Sequence, residues 1–177
     1  RKLGIKPLAE SQNPNKPNNG YFQSVPFEKL SAPGSGKIMA DAETLESGTD
    51  WILMSGNALD VTAPLVYAGF GLEDSSKGWD DYKGLDVKGK IVLIQSGTAE
   101  VQTPAEIITT SALKRKIASE KGAIAVIELF NAPMPWNMVT RYFAGEKMSL
   151  VEGTGNTASE TLPHIWANGK EPRITRA

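Results

Sequence analysis

A single histidine, His164, limits the acid–base chemistry that the sequence can support. The 177 residues contain no cysteine, so thiol nucleophiles, disulfides and thiolate metal sites are excluded. A zinc site with two histidines is excluded as well, and a Ser/His/Asp triad would have to use His164. That residue lies between Pro163 and Ile165 in a stretch typical of a strand. We therefore expect a hydrogen-bonded structural histidine, and no catalytic residue or metal ligand in this chain.

Acidic residues cluster near the centre of the sequence. Oxygen-rich clusters attract calcium, but here the spacing does not match a calcium-binding loop and lysines are interleaved. We interpret Asp81 and Asp86 as turn caps. A hydrolase that uses carboxylates is a less favoured alternative, because no second isolated acid is placed to partner the first. The whole cluster comprises Glu73, Asp74, Asp80, Asp81 and Asp86.

The glycine-rich stretches do not form a nucleotide-binding motif. In the string APGSGK, a phosphate loop would need a glycine where Ser31 stands and a Ser or Thr where Ile38 stands. Gly69 and Gly71 lack a third glycine at dinucleotide spacing. We expect these two glycines to lie on one face of a strand, where a bulge or another backbone approaches. No cofactor is expected in this segment.

Composition narrows the possible partners. Lys plus Arg total 19 and Asp plus Glu total 20, a net charge of −1, which argues against binding to nucleic acid or an anionic lipid surface. No stretch approaches the roughly 20 apolar residues of a membrane span. The 17 glycines and 11 prolines predict many turns, and the length is that of one domain.

A strand–helix–strand unit is predicted over residues 88–130. The runs KIVLIQSG and AIAVIELF are typical of buried strands, which should be parallel. Between them, Thr103 and Glu106 form a capping box around Pro104, so a helix should run from about 104 to 121 and end at Gly122. Its predicted apolar stripe is interrupted by two β-branched threonines at 109–110, which could divide the helix into two pieces. The stripe comprises Ile107, Ile108, Leu113, Ile117 and Ala118.

Shorter elements are predicted on either side of this unit. WILM and APLVYAGFGL are typical of strands, and LPHIWANGKEP predicts a short closing strand. Residues 1–20 are rich in Pro and Asn and predict a tether. The segment YFQSVPFEKL has an imperfect period of two, which Pro26 restricts to an edge strand or strand end.

Large apolar side chains concentrate in the Pro-interrupted stretch NAPMPWNMVTRYFAGEKM, which we predict to be a loop. Met and Trp in a Pro-bounded loop can form a contact surface for a partner. The alternative is a loop that folds over the sheet and covers the core. The candidate partner surface comprises Met134, Trp136, Met138, Tyr142 and Phe143.

The ordered strings LVYAGFGL, GWDDYKGLDVKGKIVLI and ALKRKIASEKGAIAVIELF resemble the protease-associated (PA) domain of zinc-dependent exopeptidases, of the bacterial aminopeptidase and glutamate carboxypeptidase type. The upstream string LGIKPLAESQNPNKPNNGYFQSVPF resembles the leader of the same peptidases. The resemblance implies a strand-rich α/β fold of the swivelling β/β/α type, a small open barrel or sandwich beside the parallel strand–helix–strand unit. It also implies a leader over 1–36, including an orphan strand of the peptidase domain at about 21–30, and a PA domain over 37–177.

The functions implied by this resemblance are those of an accessory domain. Such a domain carries no catalytic residue and modulates substrate access or protein interaction. Zinc is expected in the peptidase domain, outside this segment. The expected partners are that domain and a peptide or protein substrate, with dimerisation through exposed strand edges a further possibility. The resemblance also implies a parent protein that is secreted or periplasmic, with its signal sequence outside this segment. The rival hypothesis is a free-standing peptide- or glycan-binding module.

Overall fold

The computed structural model describes residues 27–30, 36–40, 43–57, 59–76, 78–145, 147–150 and 162–175. Most of the predicted leader and tether, and residues 151–161, lie outside these ranges. The strands are β1 (Phe27–Leu30), β2 (Lys37–Ala40), β3 (Glu43–Glu46), β4 (Trp51–Ser55), β5 (Leu65–Tyr67), β6 (Glu73–Asp74), β7 (Trp79–Asp80), β8 (Ile91–Gln95), β9 (Ala125–Phe130), β10 (Lys147–Leu150) and β11 (His164–Asn168). The helices are α1 (Pro104–Glu120), α2 (Trp136–Phe143) and α3 (Pro172–Thr175).

Five strands form the central sheet in the order β4-β11-β9-β8-β5. Only the β4–β11 pair is antiparallel, and the other neighbours are parallel. The predicted β8–α1–β9 unit is therefore confirmed, including the parallel direction of its strands. Three pairs of short antiparallel strands, β1–β10, β2–β3 and β6–β7, lie outside this sheet. The fold is the expected strand-rich α/β class, and its described strands form no closed barrel.

Each face of the central sheet carries its own core. The first face, with Val92 and Val126, packs against Ile117 of α1, and Ile52 and Trp166 of the same face pack against Val139 of α2. The opposite face is covered near β4 by β2–β3 and α3, and its cluster comprises Leu45, Trp51, Leu129 and Ala167, with Ile38, Leu53, Leu93, Ile127, Ile165 and Ile174 packed against it. Alternation along β8 produces this division, because successive side chains of a strand point to opposite faces.

The predicted ends of α1 are confirmed. The Thr103 hydroxyl accepts a hydrogen bond from the Glu106 backbone N–H at 3.3 Å, and Pro104 occupies the first turn. At the other end Gly122 has a φ of +80°, the left-handed conformation that favours glycine. The helix is continuous through its two threonines, so the division that these residues could have caused does not occur. The hydroxyls of Thr109 and Thr110 donate hydrogen bonds to carbonyl oxygens one turn earlier.

The predicted apolar stripe of α1 is only partly right. Ile107, Ile117 and Ala118 are buried as expected. Ile108 and Leu113 are instead about half exposed, and the buried position between Ile107 and Ile117 is occupied by Lys114. The buried face of α1 therefore includes a charged residue that the predicted stripe did not contain.

Gly69 and Gly71 lie after β5, not on its face as predicted. Both have positive φ, and the backbone between them wraps around the carboxylate of Asp81. One oxygen of that carboxylate accepts hydrogen bonds from the N–H groups of Phe70 and Leu72 at 3.0 and 3.1 Å. A Cβ at position 69 would lie 2.9 Å from Asp81. The glycines therefore form a concave backbone site for a carboxylate, which supports the prediction that Asp81 caps a turn.

The strand predicted near residues 21–30 appears as β1, and it has a partner within this chain. Phe27–Leu30 pairs antiparallel with Lys147–Leu150. Residues 21–26 lie outside the described ranges. The division into a leader and a PA domain at residue 36 stays a prediction.

Candidate functional site

The predicted partner surface lies on α2 and the turn before it, where a loop was expected. Pro135 precedes the helix with a φ of −60°, the value that its ring fixes and that suits a helix start. The predicted loop is therefore wrong over Trp136–Phe143. Within that helix, inward residues recur every three or four positions: Trp136, Val139 and Phe143.

Three of the five predicted surface residues are partly buried and pack against the core. Met134, Trp136 and Phe143 pack against the aromatic cluster of the sheet. The Trp136 ring lies 6.2 Å from Phe130, and the Phe143 ring meets Trp166 edge-on at 5.2 Å, an arrangement that aromatic rings favour. The Trp136 indole N–H also donates to the carbonyl oxygen of Thr49 at 2.5 Å. For these three residues the alternative of a core-covering segment describes the packing.

Met138 and Tyr142 form the outward face of α2. They are 41% and 67% exposed and lie four residues apart, which places them side by side on one helix face. Asn137 and Arg141 are also exposed. The surface that α2 offers a partner is therefore narrower than predicted, a Met–Tyr pair flanked by an amide and a guanidinium. Whether a partner binds there stays a prediction.

A buried polar network lies behind α1 and centres on Glu128. Its carboxylate accepts hydrogen bonds from the Lys114 ammonium at 2.9 Å and from the Trp166 indole N–H at 3.0 Å. Oε2, the oxygen that accepts from Trp166, also lies 2.9 Å from Nε2 of His164. Lys114 and Glu128 are fully buried and His164 is 1% exposed. The prediction of a hydrogen-bonded structural histidine is confirmed by these contacts.

Strand register and helix period place these groups together. His164 and Trp166 are two residues apart on β11, and Trp166 lies opposite Glu128 in the parallel β9–β11 pair. On α1, Ser111 and Lys114 are three residues apart and face the sheet. The Ser111 hydroxyl lies 3.4 Å from Nδ1 of His164. One helix and two adjacent strands therefore supply the network.

Burial and hydrogen bonding oppose each other in this network. Burial disfavours the charged form of Glu128, but the hydrogen bonds and positive charge supplied by His164 and Lys114 outweigh it and hold the pKa of Glu128 below its usual value. Burial also lowers the pKa of Lys114, and the charge of Glu128 offsets this only in part. The Lys114 ammonium satisfies a further hydrogen bond by donating to the Gln95 carbonyl at 2.8 Å. The pair is thus a hydrogen-bonded buried salt bridge.

The series Ser111, His164 and Glu128 contains the residue types of a nucleophilic triad, but its geometry serves packing. A catalytic serine must bring its oxygen to a substrate carbonyl. Here the Ser111 hydroxyl is directed into the interior, within 3.5 Å of the Glu128 carboxylate as well as near His164. The arrangement joins α1 to β9 and β11.

Sequence reasoning missed both charged members of this network. A signal was present in AIAVIELF, since a lone glutamate within a buried strand requires a partner of opposite charge or a donor. Lys114 lies at the spacing that faces the sheet, three residues before Ile117, and supplies that charge. The interpretation of α1 as an apolar stripe concealed it.

The acidic cluster is explained by local structure. Asp80 and Asp86 accept hydrogen bonds from the backbone N–H groups two residues later, and Asp74 does the same for Ser76. The prediction that Asp86 caps a turn is confirmed. Within the part of the chain that the structure describes, no group of three or more His, Asp or Glu side chains is placed to hold a metal ion.

Comparison with models of protein families gives a match within this chain. The family described as PA domain matches residues 61–165, a span that runs from before β5 into β11. It includes α1, α2 and, of the buried network, Ser111, Lys114, Glu128 and His164, while Trp166 follows the matched span. No curated protein was found to be similar in sequence. Across the described ranges, none of the helices has the length and apolar character needed to cross a membrane.

Proposed function

The chain belongs to the PA domain family, and on that premise we propose that it is the non-catalytic accessory domain of a zinc-dependent aminopeptidase. PA domains are protease-associated accessory modules that generally occur within peptidase chains and are not themselves catalytic. The match over 61–165 is the observation that carries the proposal. The more specific parent is supported by the resemblance of the leader and central strings to aminopeptidase-type exopeptidases.

In this proposal the domain modulates how a peptide or protein substrate reaches the peptidase domain of the same polypeptide. Zinc would be held by that peptidase domain and not by this segment. The parent would be secreted or periplasmic. Met138 and Tyr142 on the outward face of α2 are the residues proposed to contact the peptidase domain or its substrate.

The parent activity is tested on the complete native polypeptide that contains this domain. We expect it to release amino-terminal residues from peptides, to lose that activity after treatment with a zinc chelator, and to regain it when zinc is restored. A complete polypeptide that shows no chelator-sensitive aminopeptidase activity would contradict the proposed parent.

The role of α2 is tested with charge on its outward face. We expect the double variant Met138→Glu, Tyr142→Glu of the complete enzyme to change kcat/KM by about tenfold, equivalent to about 1.4 kcal/mol of lost contact. Trp136 is a poor test residue, because its packing on Phe130 and its bond to Thr49 make a substitution destabilising. The matched control is Leu113→Glu, at an apolar position on α1 that is 48% exposed. Equal kinetics for both variants would remove α2 from the mechanism.

A further inference from the structure

Strand β5 forms one edge of the central sheet. Among the described strands its single neighbour is β8. The bonds to β8 use alternate residues: the Pro64 carbonyl accepts from the Ile91 N–H, and the Ala68 N–H donates to the Leu93 carbonyl. Because a parallel strand alternates its bonding side, the N–H and C=O groups of Leu65 and Tyr67 point away from β8, toward the open edge.

Apolar residues alternate in the sequence that leads into β5 and within β5 itself. Every second residue from position 59 to position 67 is apolar, which is the period of a strand with one buried face. Yet four of the five side chains are between 46% and 54% exposed. The row comprises Leu59, Val61, Ala63, Leu65 and Tyr67, with Ala63 the more covered member.

The members of the row that belong to β5, Leu65 and Tyr67, lie on a face of the sheet that is covered near β4 but exposed near β5. Leu65 and Tyr67 lie opposite Ile91 and Leu93 in the β5–β8 register, and Leu93 packs against the cluster covered by β2–β3 and α3. Near β4 that cluster is closed by Leu45. Near β5, in the described part of the chain, the same apolar face remains exposed.

We propose that the β5 edge binds an extended peptide segment that carries apolar residues at alternate positions. Such a segment adds a strand to the sheet: its backbone pairs with Leu65 and Tyr67, and its alternate side chains continue the apolar row. The outward backbone groups of β5 would supply affinity, and the apolar row would select peptides whose alternate residues are apolar. This inference requires only the fold and is independent of a zinc peptidase parent.

The size and charge of the edge favour a peptide over a second copy of this chain. The row exposes on the order of a few hundred Å² of apolar surface, whereas a stable dimer needs about 800 Å² on each partner. β5 is three residues long, which allows only a few backbone hydrogen bonds. No charged residue lies in the row, so the matching positions of the peptide are expected to be uncharged.

The test uses the full 177-residue chain and an acetylated, amidated decapeptide that alternates valine with serine. We expect a Kd on the order of 0.1–1 mM by calorimetry, with NMR shifts of the Leu65 and Tyr67 amides. A peptide of the same sequence that is N-methylated at every backbone nitrogen retains the side chains but cannot donate. We expect its binding to fall at least about tenfold.

Protein variants separate backbone pairing from apolar contact. Leu65→Pro removes the outward N–H while leaving the bonds to β8 in place, a substitution that edge strands accept, and we expect it to abolish binding. Leu65→Lys places a charge in the row and should weaken binding at least about tenfold. The matched control Leu113→Lys, at a similarly exposed leucine on α1, should leave the Kd unchanged.

Four results would overturn the inference. They are absence of binding at millimolar peptide, binding that survives Leu65→Pro, and NMR shifts centred on α2. The fourth is protection of the Leu65 and Tyr67 amides from hydrogen exchange in the peptide-free protein. Sedimentation then identifies what covers the edge: a dimer that Leu65→Pro dissociates means a second copy, and a monomer means another segment of this chain.

Discussion

The two helices on the first face of the sheet are attached by opposite means. α1 is joined to the sheet through Lys114, whose ammonium bonds to Glu128 and to a backbone carbonyl. α2 packs through Val139 and Phe143 against the apolar Phe130–Trp166 cluster, and its first residue, Trp136, adds a hydrogen bond to the Thr49 carbonyl. The attachment of α1 therefore includes a buried charge pair, whereas the attachment of α2 rests mainly on the shape of apolar side chains.

The sheet positions α1 more strictly than α2. A buried carboxylate and ammonium must each find their partners at bonding distance, so sliding α1 by one residue would leave charges unpaired. Apolar packing contacts such as those of α2 tolerate small shifts at a lower cost in free energy. We therefore expect α1 to be fixed in register and α2 to be the helix that adjusts when its outward Met138 and Tyr142 are engaged.

The largest expected effect comes from breaking the charged attachment. Glu128→Leu leaves the Lys114 ammonium buried without its counter-charge, and we expect the free energy of unfolding to fall by about 3–5 kcal/mol. Urea unfolding measures it. The double variant Lys114→Met, Glu128→Leu removes both charges and should recover about 2 kcal/mol of the loss. A double variant as unstable as the single one would contradict the view that the unpaired ammonium is the cause.

The apolar attachment should respond less. Phe143→Ala leaves a cavity beside Trp166, and we expect a loss of about 2–3 kcal/mol, below the cost at a fully buried site because Phe143 is only partly buried. Tyr142→Ala, one residue earlier on the outward face, is the matched control and should stay within about 0.5 kcal/mol. Thermal unfolding of both variants compares them. Similar losses would mean that Tyr142 is packed and not free to contact a partner.

The sequence predicted local structure well where local chemistry decides it. The capping residues Thr103 and Gly122 fixed the ends of α1, and the apolar runs identified β8 and β9. The position of β11 between β4 and β9 could not be read, since no local feature encodes strand order. The turn at Gly69 was likewise misplaced, because its partner Asp81 is twelve residues away and no short-range signal joins them.

The candidate site was less predictable than the fold. Residue type alone selected Met134, Trp136 and Phe143 together with Met138 and Tyr142, although only the last two are outward. The helical period of α2 separates the inward residues from the outward ones. The prolines that precede this segment led instead to the prediction of a loop. The network around Glu128 required knowing that β9 and β11 are neighbours, which brings together residues 36 positions apart.

The smallest expected effect concerns the pH dependence of the charged attachment. Glu128→Gln also removes the counter-charge of Lys114, but its amide oxygen can still accept a hydrogen bond from the ammonium. We therefore expect a smaller loss than for Glu128→Leu, about 1–2 kcal/mol at pH 7. Since the folded pKa of Glu128 lies below its usual value of 4.5, its stabilisation is complete above that pH and is lost as the pH falls through the folded pKa. Urea unfolding from pH 7 to pH 3 should therefore show the two stabilities converging below about pH 4.5. A constant difference would mean that Glu128 acts through its shape and hydrogen bonds alone, and the contrast between the two helices would then rest on packing and not on charge.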